Sequence, residues 1–137
     1  MKSLGIIGAL LVSASVSLAP CYAGTKVKLD GSRPFTCVPT AVSECGNDGD
    51  CKRGTAESEN LPQFFTVDLH DKRISAEQDK RHSTIARETR AGGNLILSGG
   101  EAQRVWSLIV NQNTGDMTGN ITGDGESFAV FGVCLEL

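Results

Sequence analysis

Only two histidines occur in this chain, and no C-x-x-C pair, G-x-S-x-G turn or EF-hand run of acidic residues accompanies them. Each absence removes a class of chemistry. Lack of C-x-x-C excludes a thioredoxin-like redox pair. Lack of G-x-S-x-G excludes the nucleophile elbow of an α/β hydrolase. The missing D-x-[DN]-x-[DN]-G order excludes an EF-hand calcium loop. Beyond the first residues no apolar run is long enough to cross a bilayer. There is no internal repeat, low-complexity tract or inter-domain linker, and 137 residues suit one domain. An excess of positive charge is missing too. Lys2 is the only charge ahead of Gly24, which leaves 12 basic and 16 acidic side chains and a net of about −4. Such a balance gives nucleic acid or anionic lipid no electrostatic handle.

What is present begins with a leader. Lys2 is followed by an apolar stretch, Leu4–Leu18, and small residues at Cys21 and Ala23. This layout predicts a secretory signal over residues 1–23, cleaved after Ala23, with the remainder acting in the periplasm or outside the cell. Pro20 stands where a lipidation signal needs a small residue before Cys21, which reads against lipidation. Removing Cys21 leaves Cys37, Cys45, Cys51 and Cys134, an even set suited to disulfides in an oxidising compartment.

The stretch Glu44–Gly54, ECGNDGDCKRG, has the wrong cysteine spacing for a zinc site. Its Asn, Asp and Gly residues suit a tight turn instead. Four cysteines allow three pairings. The short separation favours Cys45–Cys51, leaving Cys37–Cys134.

From Leu61 onward, short β-type runs alternate with glycine- and asparagine-rich turns. They are Gln63–His70, Ser83–Arg90, Asn94–Ser98, Arg104–Asn111, Asp116–Thr122 and Ser127–Leu135. The pattern predicts an all-β antiparallel meander of six to eight strands, a small barrel or sandwich stapled by disulfides. Residues 24–60 read as an irregular, cysteine-rich segment packed on the 61–137 meander within one domain, with short strands at Lys26–Leu29 and Phe35–Val38. Arg104–Asn111 and Ser127–Leu135 are apolar on both faces, so both faces need cover or a partner. Ser75-Ala76-Glu77-Gln78 resembles a capping box and predicts a short helix over Ala76–Arg81.

Two candidate sites emerge. Pairing Gln63–His70 with Ser83–Arg90 so that Val67 faces Ile85 sets His82 opposite His70, with Asp68 nearby. Two imidazoles and a carboxylate suit a divalent metal or an acid–base pair, although the same face also reads as a solvated hairpin end. A basic cluster at Lys72, Arg73 and Arg81, with Trp106, is the candidate ligand or partner surface. Interleaved acidic residues offset much of its charge.

Ser98-Gly99-Gly100 ahead of Val105-Trp106, with the late Cys134, resembles part of the small periplasmic lysozyme inhibitors, compact β-barrels with a disulfide. Their inhibitory S-G-x-x-Y loop is not present, and the likeness covers only part of residues 95–134, so no family is assigned. The resemblance implies that an exported β-domain of this size can act by binding alone. The expected function is therefore non-catalytic, inhibitor-like binding of a protein or small ligand, with no cofactor, metal or catalytic residue assigned. The alternatives are an enzyme using Asp68, His70 and His82, and a structural subunit of an envelope or secreted assembly.

Overall fold

The computed structural model describes residues 29–136. The expected leader, its expected cleavage point after Ala23, Cys21 and most of the expected 26–29 strand lie outside them. The described chain forms nine strands: β1 (Phe35–Gly46), β2 (Cys51–Gly54), β3 (Phe65–Asp68), β4 (Arg73–Ala76), β5 (Arg81–Ala91), β6 (Asn94–Glu101), β7 (Arg104–Asn111), β8 (Asp116–Gly123) and β9 (Glu126–Leu135). All pairings are antiparallel. From β3 to β9 each strand pairs with the next, and β9 returns to β1, which also pairs with β3. The result is an eight-stranded up-and-down barrel with β2 added beside the second half of β1. No helix among the described residues is long and apolar enough to cross a membrane.

Period-two alternation sorts the side chains. One inward row reads Leu95, Val110, Met117, Gly132 and Pro39 across β6, β7, β8, β9 and β1. The next reads Leu97, Leu108, Gly119, Val130 and Val42, and the third reads Gly99, Trp106, Ile121, Phe128 and Glu44. The side chains at Phe35, Cys37, Val67, Leu95, Leu97 and Val110 are fully buried and form the centre of the core.

The end of the barrel where β1 begins is closed by the segment ahead of it. Leu29 is buried there; its N–H donates to the Gln112 carbonyl, while Gln112 Nε2 donates to the Leu29 carbonyl at 2.7 Å. Arg90 Nη1 donates to the Asp30 carbonyl at 2.7 Å and so pins the same segment to β5. Cys37–Cys134 joins directly opposed inward residues of β1 and β9 toward this end. Cys45–Cys51 joins directly opposed residues of β1 and β2 at the other.

Three expectations change. The segment 24–60 is not irregular throughout: Phe35–Gly46 is a twelve-residue wall strand of the barrel. The short strand expected at Phe35–Val38 stops before Pro39, but the strand runs on through it, because Pro39 sits at a bulge where the register shifts between Pro39 and Ala41, a place where proline breaks no regular ladder. The helix over Ala76–Arg81 shrinks to one 3-10 turn, Glu77–Asp79, closed by Lys80 in the left-handed region (φ 54°). Ser75 does not cap it, being a β4 residue paired with Thr66 and His82.

The apolar outer faces of β7 and β9 are also not covered by residues 29–34, which close the barrel end. Val105, Ile109, Phe131 and Val133 remain exposed, Val105 to 63%.

Candidate functional site

The histidine site predicted from sequence is not assembled. It assumed that the strand holding Asp68 pairs with β5, but β4 lies between them. His82 faces Ser75, whereas His70 sits in the β3–β4 turn at the opposite end of the barrel. Asp68 shapes that turn, because its Oδ1 accepts from the N–H groups of His70 and Asp71 at 2.9 and 3.0 Å. Among the described residues no group of three or more His, Cys, Asp or Glu side chains is placed to hold a metal ion. The basic cluster is divided as well. Lys72 lies in the β3–β4 turn and Arg73 opposes Asp68, while Arg81 and Trp106 lie at the far end.

That far end is hollow. A cavity of about 630 Å³ opens between the β4–β5, β6–β7 and β8–β9 turns and the β2–β3 connection. Phe65, Ile74, Trp106, Leu108, Ile121 and Val130 give it an apolar wall. The room comes from small inward residues: Ala76 on β4, Ser83 on β5 and Gly119 on β8. A Cβ at Gly119 would come to 3.3 Å from the Ser107 carbonyl, a fit requiring the neighbour to yield only slightly. Glycine inside a strand often marks a place where a ligand or another backbone approaches closely.

The wall itself parts at this end. β5 pairs with β6 only from Ile85 onward, and Arg81–Thr84 pair with β4 alone. Trp106 crosses the gap, its Nε1 donating to Ser83 Oγ at 2.8 Å. The indole lies across Gly99, where a Cβ would collide with the ring and with the Thr84 carbonyl.

Charged groups edge the mouth. Arg81 Nη1 donates to the Asn60 carbonyl at 2.8 Å, tying β5 to the β2–β3 connection, in which Ala56 is buried. Arg104 pairs with Glu126 at 2.6 Å and lies 6.0 Å from the centre of the Phe128 ring. Glu101 and Asp124 complete the edge. Nearby, Glu44 holds its proton above the usual carboxylate range. A hydrogen bond with the Glu59 carboxyl is the main cause, with desolvation and the charges of Glu59 and Glu126 adding to it.

Sequence reasoning placed Arg81 and Trp106 on a partner surface but missed Ser83 and Gly119. The available signal was the phase of DMTGNIT, in which Gly119 shares a face with Met117 and Ile121. Comparison of the chain with protein-family models, characterised proteins and solved structures finds no match.

Proposed function

We propose that the protein is an exported, non-catalytic binding barrel that takes a small apolar ligand into the open half of its interior. The observation carrying this reading is the 630 Å³ cavity, apolar in its wall and open at one end. Most ligand sites combine concavity, an apolar lining and a few placed polar groups in this way. The two disulfides support an oxidising compartment such as the periplasm or extracellular space.

Trp106 is the only tryptophan and lines the cavity, so its emission reports occupancy. Titration with the neutral dye N-phenylnaphthylamine is expected to transfer energy from Trp106 saturably, at one dye per chain. Gly119→Leu, which fills the cavity, is expected to weaken the dye by at least tenfold while leaving the fold intact by circular dichroism. Unsaturable transfer, or equal transfer in the variant, would overturn the reading.

A second reading, a subunit of an assembly, has one observation in its favour. An outer row of Ile96, Ile109, Thr118, Phe131 and Ala41 runs uncharged across five strands. Light scattering that shows a monomer at high concentration would count against self-assembly through that row.

A further inference from the structure

His82, Gln103 and Ser107 also line the cavity, but within its wall one polar group is held in place by a hydrogen bond from a neighbouring side chain. Ser83 Oγ accepts from the Trp106 indole N–H, and both residues are half-buried in the lining. A serine hydroxyl that accepts one bond still has a proton to donate. Among the described residues no protein acceptor takes that proton. The indole bond fixes this arrangement, because it occupies an oxygen lone pair and leaves the hydroxyl proton directed elsewhere.

The mouth does not favour an ion of either sign. Two guanidinium groups, Arg81 and Arg104, and the His82 imidazole stand with two anions, Glu101 and Asp124, in the lining. Arg104 is further matched by Glu126. No single-sign field draws in a charged head group. A neutral hydroxyl set among Ile74, Trp106 and Leu108 also cannot by itself offset the desolvation of a carboxylate. An uncharged acceptor does not meet that cost.

We propose, on the binding reading above, that the ligand is an uncharged apolar molecule bearing a carbonyl oxygen: a ketone, aldehyde or ester. Its oxygen accepts the Ser83 proton, while its hydrocarbon body fills the space among Trp106, Leu108, Ile121 and Val130. Trp106 acts as a positioning residue for the hydroxyl as well as an apolar wall.

Competition against N-phenylnaphthylamine tests this with methyl heptyl ketone, nonane and nonanoate. Ser83→Ala is expected to weaken the ketone about three- to tenfold, the range of one net hydrogen bond, and to leave nonane unchanged. Ser83→Thr keeps a hydroxyl and is expected to restore the ketone. Above neutral pH, nonanoate is expected to compete less well than the ketone with the unaltered protein. Equal losses for ketone and nonane, or tighter binding of nonanoate, would overturn the ligand class. So would bound dye that the ketone fails to displace, with the cavity reading left standing. Failure of the dye itself to bind overturns both.

Discussion

Near its closed end the barrel places Leu95 and Val110 side by side on β6 and β7; toward its open end the small residues Ala76, Ser83 and Gly119 face inward instead. The strands and their alternation are the same in both halves. What differs is side-chain volume at the inward positions and what covers the end. Leu29 and Gln112 seal one end with reciprocal hydrogen bonds, while charged turns leave the other open. The lesson is a division of labour: the solid half and its long-range disulfide supply stability, which frees the other half to stay hollow.

The strongest way to break that comparison is to remove the disulfides one at a time. Cys37–Cys134 spans 97 residues and Cys45–Cys51 spans 6. Loop-closure entropy then predicts losses of about 4–5 and about 2 kcal/mol for the paired Cys→Ala variants. Urea denaturation compares them, and equal losses would remove the asymmetry.

Next in size come core truncations. Leu97 is fully buried, so Leu97→Ala should cost about 3 kcal/mol through lost transfer and cavity creation. Ile121 already borders empty space, and Ile121→Ala should cost nearer 1 kcal/mol. Comparable losses in thermal unfolding would mean that the open half is as tightly packed as the closed one. Gln112→Ala should cost about 1–2 kcal/mol, because the Leu29 carbonyl loses its buried donor. Faster amide exchange at Leu29 would locate that loss at the seal.

The smallest effect concerns pH, and its sign reverses between the ends. Near the open end Glu44 has a raised carboxyl value, chiefly through Glu59. The folded state therefore binds the proton more tightly than the unfolded chain. This stabilisation is complete below the unfolded value of 4.5 and is lost as pH rises through the folded one. Near the closed end Asp30 has a lowered value, first through hydrogen bonds from Ser32 and then through Arg90 and Arg33. Its stabilisation is present above 3.8 and is lost as pH falls. Carboxyl-carbon titration by NMR should show the two displaced in opposite directions. In Glu59→Ala the Glu44 value should fall back, and an unchanged value would assign the shift to another cause.

Much of the architecture was legible in the chain. Turn glycines and period-two runs marked β6 to β9 closely, and cysteine spacing favoured the two pairs found joined. The first half read less well. In β1 Pro39 hid a strand, because a bulge that accommodates proline is a tertiary feature with no local signature. The short β4 went unseen beneath a capping-box pattern, and without it the register that joined His70 to His82 was wrong. The cavity was harder still, since its volume depends on which small residues face inward at one level. That requires the register of several strands at once, which no single run contains.

Methyl NMR with methyl heptyl ketone reads both halves of the barrel in one spectrum. A hollow open half and a solid closed half predict saturable shifts at Ile74, Leu108, Ile121 and Val130, with Leu29, Leu95 and Val110 unmoved. Shifts at the closed-end residues or on the outer row at Ile96 and Ile109, with none in the open half, would contradict it.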